Sequence, residues 1–139
     1  MIIAFTGTQI GMTHAQALEV AKLLIELEPE WVLHGDCIGA DASFHRIVVK
    51  LRGESPYPKI HLYPSYIHHK RAYCDDYDLI EPEYEPLVRN KIMAKACDKL
   101  IACPKEGEEI LRSGTWATVR YARKEGKVIY TILPNGKLI

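Results

Sequence analysis

Residues 31–51, Trp-Val-Leu-His-Gly-Asp-Cys-Ile-Gly-Ala-Asp-Ala-Ser-Phe-His-Arg-Ile-Val-Val-Lys-Leu, decide how the chain folds. Trp31 to His34 is a short β-branched and apolar run bounded by Pro29 and Gly35, as a buried strand requires. From Ala40 the period changes: Ala42, Phe44, Ile47, Val48 and Leu51 recur at helical spacing until Gly53 stops them. Gly35 to Gly39 therefore reads as the loop of a strand–turn–helix unit.

The same unit recurs along the chain. Ile2 to Phe5 reads as a strand, followed by Gly7, Gly11 and a helix that Thr13 caps and Pro29 ends, with Ala17, Leu18, Ala21, Leu24 and Ile25 on its apolar face. Lys59 to Tyr63 is a third strand. A helix over Pro86 to Cys97, a strand over Lys99 to Cys103, a helix over Gly114 to Lys124 and a strand over Val128 to Leu133 complete the alternation. Strands alternating with helices imply an α/β fold in which a mainly parallel sheet of about five strands lies between two helical layers. Residues 64–85 are polar, aromatic and proline-punctuated without a period, and a connection that long suggests a lid or binding loop. At 139 residues the chain is expected to form a single domain, 1–139.

Composition narrows the function. Lys plus Arg and Asp plus Glu are both 18, so no bulk positive field draws in nucleic acid or an anionic membrane. The apolar start stops at Thr6 without a basic leader, and no apolar run spans a bilayer, so a cytoplasmic location is expected. Four cysteines without a CxxC pair suit reduced thiols rather than a zinc site or disulfide framework. No metal or cofactor is called for: His68 and His69 with Cys74, Asp75, Asp76 and Asp78 offer ligand types but no motif that fixes a geometry.

Three turns carry chemistry: Phe5-Thr6-Gly7-Thr8, His34 to Asp41, and Ser113-Gly114-Thr115. Amino ends of helices present unpaired amides and a partial positive charge, and glycine there lets backbone approach a phosphate. Each turn could also be purely structural, with glycine making the bend and Ser, Thr or Asp capping the helix. A P-loop is absent because no Lys-Ser/Thr follows Gly39, and the dinucleotide spacing GxGxxG is missing as well.

Thr6-Gly7-Thr8-Gln9, the Gly35 to Asp41 segment with its Gly-x-x-x-Gly-Ala-Asp pattern, Arg89-Asn90-Lys91-Ile92-Met93, and Ser113 to Thr118 leading into Ala122 together resemble the SLOG superfamily. The likeness is to its YspA-like branch, related to the Lonely Guy phosphoribohydrolases and to DprA. The resemblance implies a Rossmann-like fold and a pocket for a nucleotide or nucleoside phosphate. It assigns ligand binding to Gly7, Thr8, Gln9, Gly35, Asp36, Gly39, Ala40, Asp41, Arg89, Asn90, Ser113, Gly114 and Thr115. Arg89 fits a phosphate or leaving-group contact because its guanidinium stays charged and offers paired donors. Asp41 would accept ribose hydroxyls or cap its helix, Asp36 has the same two readings, and Asn90 would read a base or bind backbone. A homodimer or higher homo-oligomer is implied by the same relatives.

One departure bears on mechanism. Lonely Guy enzymes carry a catalytic glutamate at the position of Thr118, and a threonine cannot supply that carboxylate. The expected function is therefore a binding or sensing module for a nucleotide-derived molecule. The alternative is a nucleotide hydrolase cleaving an N-glycosidic or phosphate bond with Arg89 and Asp36 or Asp41 as catalytic residues. DNA binding by analogy with DprA conflicts with the balanced charge.

Overall fold

A computed structural model describes residues 1–139. Six strands form one sheet in which every pairing is parallel: β1 (Ile2–Gly7), β2 (Trp31–His34), β3 (Lys59–Leu62), β4 (Leu79–Ile80), β5 (Lys99–Cys103) and β6 (Val128–Thr131). Four α-helices connect them: α1 (His14–Leu27), α2 (Ala40–Arg52), α3 (Pro86–Ala96) and α4 (Gly114–Lys124). The strand order is β4-β3-β2-β1-β5-β6. The chain thus winds outward from β1 to β4, then returns and winds the other way from β5. Beyond the carboxyl ends of β1 and β5 the two directions part, which opens a crevice where α/β sheets bind ligands.

Alternation along each strand divides the core. Ile3, Phe5, Val32, Ile60, Ile101 and Cys103 pack with Val20 and Leu24 of α1 and Phe44 and Val48 of α2. Their neighbours Ala4, Leu33, Leu100 and Ala102 point the opposite way, against Met93 of α3 and Trp116, Val119 and Ala122 of α4. Each face is covered, giving the three layers expected. Phe5 and Phe44 stack with ring centroids 4.3 Å apart, tying α2 to the central strand.

The helix signals are local. Thr13 closes a capping box with Gln16, Glu85 caps α3 with Pro86 behind it, and Ser113 caps α4. Gln16 does more than cap: its amide donates to the carbonyls of Pro104 and Ile132, both at 2.8 Å, pinning the start of α1 to the far half of the sheet.

The sheet has one strand more than the five expected. β4 is two residues long and exposed on both faces, so it carries no alternation to read. Its pairing comes from Asp78, whose carboxylate accepts the Ile60 amide at 2.8 Å and whose own amide donates to the Ile60 carbonyl at 2.8 Å.

Residues 64–85 are no lid over the crevice. The Asp36 carboxylate accepts from the Arg71 guanidinium at 2.7 and 3.0 Å and from the Cys74 amide at 2.9 Å. Backbone bonds Ile38 to Lys70 and Ala72 to Asp36 add to this, and Arg52 donates to the Asp76 carbonyl. The segment is fastened along β2 and α2, and none of its residues lines the cleft. No helix is long and apolar enough to cross a membrane.

Candidate functional site

A cleft of about 360 Å³ occupies the crevice where the strand order reverses. Thr6 to Ile10, at the end of β1 and just beyond it, form one wall, Gly35, Cys37 and Asp41 the back, Arg89 and Asn90 of α3 the floor, and Lys105, Glu106 and Arg112 to Thr115 the opposite wall.

Arg89 organises the back of the cleft. Its residue is only 6% exposed, yet no partner of its guanidinium is a carboxylate. Nη1 donates to the carbonyls of Gly35 at 2.8 Å and Tyr63 at 2.9 Å, Nε to Asn90 Oδ1 at 2.7 Å, and Nη2 has only the weak Cys37 Sγ contact at 3.6 Å. Asn90 therefore orients Arg89 with its oxygen, and its amide nitrogen is left for the cleft. Asn90 thus spends its oxygen on a side chain rather than on backbone.

Gly35 is the counterpart of this arginine: a Cβ at position 35 would lie 2.1 Å from Arg89 Nη1. Asp41 spans the same turn, with Oδ2 accepting from the Gly35 and Cys37 amides, both at 3.1 Å. Burial raises its pKa to about 6 against the opposing pull of Arg89 and the amides. Burial, reinforced by the Asp41 charge, pushes the Cys37 thiol up to about 11, which disfavours its thiolate at neutral pH.

The other turns are distributed unevenly. Gly7, Thr8, Gln9, Gly35, Asp41, Arg89, Asn90, Ser113, Gly114 and Thr115 come together around the cleft, whereas Asp36, Gly39 and Ala40 lie behind it. Gly39 has φ +85° and a Cβ there would sit 2.2 Å from the Gln9 carbonyl oxygen, while a Cβ on Gly7 would sit 2.5 Å from that of Ala40. These glycines let the β1 and β2 turns pack together, locked by the Ala40 amide donating to the Thr8 carbonyl at 3.0 Å. Gly114 differs, since a Cβ there would meet nothing within 4 Å.

At α4, Ser113 Oγ accepts the Trp116 amide at 3.1 Å, and the Gly114 and Thr115 amides remain without intrahelical acceptors. They face the cleft beside Arg112 and Lys105, which sequence reasoning missed along with Ile10, Cys37, Leu87, Met93 and Glu106. Charges in the loop just after β5 were the available signal for Lys105, Glu106 and Arg112. Thr118, at the position where the resemblance places a glutamate, is fully buried, and its hydroxyl donates to the Gly114 carbonyl at 2.9 Å.

A buried relay runs behind the turn. The Asp36 amide donates to His34 Nδ1 at 2.9 Å, so the proton of neutral His34 sits on Nε2 and points at His45 Nδ1, 2.9 Å away. His45 Nε2 then donates to the Asp75 carbonyl. Cys74 lies close enough to the two rings to form a three-ligand cluster, but binding a metal through His34 Nε2 would move the proton to Nδ1, against the Asp36 amide. The relay fits two neutral histidines.

Burial lowers both pKa values, that of His34 well below 6.5 with help from His45 and Arg89. A depressed histidine is uncharged in the native state while the unfolded chain takes up protons, so its stability contribution is present above about pH 6.5 and lost as pH falls. Asp41 works in reverse, since its carboxyl protonates near pH 6 when folded and near 3.8 when unfolded. That gap of about two units returns about 3 kcal/mol on acidification. Urea denaturation between pH 7 and pH 5 is expected to show stability falling, and falling more steeply below pH 6 in Asp41→Asn; parallel profiles would count against this assignment.

No family model and no curated protein matches the chain. Among solved structures, a molybdenum cofactor binding protein from the phototrophic bacterium Rippkaea orientalis superposes with a TM-score of 0.68 at 20% identity, over 95% of this chain and 76% of that one. A structural-genomics target designated TM1055 superposes with a TM-score of 0.61 at 14% identity, over 93% of this chain and 72% of that one. At these identities the likeness establishes a Rossmann-like fold.

Proposed function

We infer that the cleft binds a nucleotide or nucleotide-derived small molecule and that the protein acts as a ligand-binding or sensing module. The observation that carries this reading is Arg89: a buried guanidinium to which no carboxylate is hydrogen-bonded, with Asp41 the one acidic group beside it and Nη2 nearly free, borders a polar cleft and favours an anion. The unpaired Gly114 and Thr115 amides with Arg112 and Lys105 offer a second anion-favouring wall. Of the two aspartates that the hydrolase alternative would use, Asp36 is spent on Arg71 and Cys74 and Asp41 Oδ2 on its own turn, which favours sensing. The fold neighbour described as a molybdenum cofactor binding protein widens the reading to cofactor-sized anionic ligands.

Thermal denaturation with AMP, GMP, cyclic nucleotides, ADP-ribose and a pterin phosphate tests it, each mixture being chromatographed afterwards. Ligand binding only to the folded state raises the midpoint with concentration, by about 2.7 kcal/mol of stabilisation at a hundred times Kd. A shift with the compound recovered intact is expected. Released base or phosphate would support the hydrolase instead, and no shift across the set would overturn the reading.

A further inference from the structure

One carboxylate in the cleft has unfinished hydrogen bonding. Glu106 lines the wall formed by the β5–α4 connection, and its Oε1 accepts the indole N–H of Trp116 at 3.1 Å. Trp116 is the third residue of α4 and only 2% exposed, so the donor that holds Glu106 is itself fixed. Oε2 has no partner in the protein, and no cation pairs with the group although Lys105 precedes it and Arg112 lines the same wall. Asp41 also lines the cleft, but its Oδ2 holds two amides, those of Gly35 and Cys37, within its own turn.

A carboxylate held by one oxygen and open at the other accepts donors; it repels phosphate. Its place decides which donors. Trp116 anchors Glu106 to the first turn of the helix whose Gly114 and Thr115 amides are free, and Arg89 lines the same cleft, so a phosphate held among them leaves the adjoining sugar hydroxyls as donors for the carboxylate.

We propose that Glu106 is a specificity-determining residue that accepts hydrogen bonds from the ribose hydroxyls of a 5′-phosphorylated nucleoside and so selects ribonucleotides over 2′-deoxyribonucleotides. The inference rests on the nucleotide reading of the same cleft. It adds a residue and a chemical criterion that the glycine turns and Arg89 do not supply.

Calorimetric titration of wild type and Glu106→Gln with AMP, GMP, their 2′-deoxy forms and IMP tests it. Hydrogen bonds to a charged acceptor predict that wild type prefers the ribo form by about tenfold or more. In Glu106→Gln that preference falls toward one while affinity for the deoxy form is kept or rises. A wild-type ratio near one, or an unchanged ratio in the variant, overturns the proposal while leaving nucleotide binding standing. So does loss in the variant of a GMP-over-IMP preference in place of the sugar preference, since that would make Glu106 a reader of the base. Failure of all five compounds to bind wild type removes the nucleotide reading itself.

Discussion

Gly39→Ala is expected to lower the unfolding free energy by about 3–5 kcal/mol, the sum of left-handed backbone strain and an overpacked contact. Residue 39 has φ +85°, and the added Cβ would meet the Gln9 carbonyl oxygen at 2.2 Å and its carbon at 2.4 Å. Both are backbone atoms, which cannot swing aside like the end of a side chain. The turns after β1 and β2 would have to separate, breaking the Ala40 to Thr8 bond that joins them. Urea denaturation of Gly39→Ala beside Gly114→Ala checks the cause. At Gly114 a Cβ meets nothing, so that variant should stay close to wild type. Equal stabilities for the two variants would refute the packing account.

Arg89→Ala is expected to cost about 3 kcal/mol of stability, because the buried carbonyls of Gly35 and Tyr63 and the Asn90 oxygen all lose their donor at once. Its larger effect falls on ligand binding, with an expected loss of at least about 100-fold in affinity for a phosphorylated ligand, as charge-assisted bonds imply. Arg89→Lys separates the two roles of the residue. It keeps the charge but not the fork that reaches two carbonyls and a side-chain amide together, so it should restore part of the affinity and little of the stability. Circular dichroism on each variant establishes that the fold is present before affinities are compared.

What could be read from the sequence follows from which forces are local. β5 and α4 agree with the expected bounds because an apolar run, a serine cap and helical spacing are all contained in a few residues. The three layers were legible from the alternation of strands with helices, whereas the continuous apolar runs of β1 and β5 do not say that Phe5 and Ala4 face opposite layers. β4 was illegible because it buries neither face and depends on Asp78 reaching β3. The reading of Asp36 beside a ligand missed an ion pair with Arg71, 35 residues away in a stretch without period.

The candidate site shows the same division. Glycines at 7, 35 and 39 mark the right turns, and an added Cβ at each would meet Ala40, Arg89 and Gln9 in turn. Gly35 and Arg89 lie 54 positions apart and fit only as a pair, a dependence no local pattern carries. Lys105, Glu106 and Arg112 belong to an irregular connection, and only the fold turns them toward the crevice between β1 and β5.

The central claim is that a buried guanidinium to which no carboxylate is hydrogen-bonded makes this crevice an anion-binding site. Calorimetric titration of a nucleoside monophosphate into wild type and Arg89→Lys, at matched protein concentration and salt, tests that claim most directly. The account predicts saturable one-to-one binding to wild type, weakened at least about tenfold in the lysine variant, which keeps charge but loses the Nη2 donor that the Gly35, Tyr63 and Asn90 contacts hold in place. Equal affinity in the two proteins would contradict it and place the ligand away from Arg89.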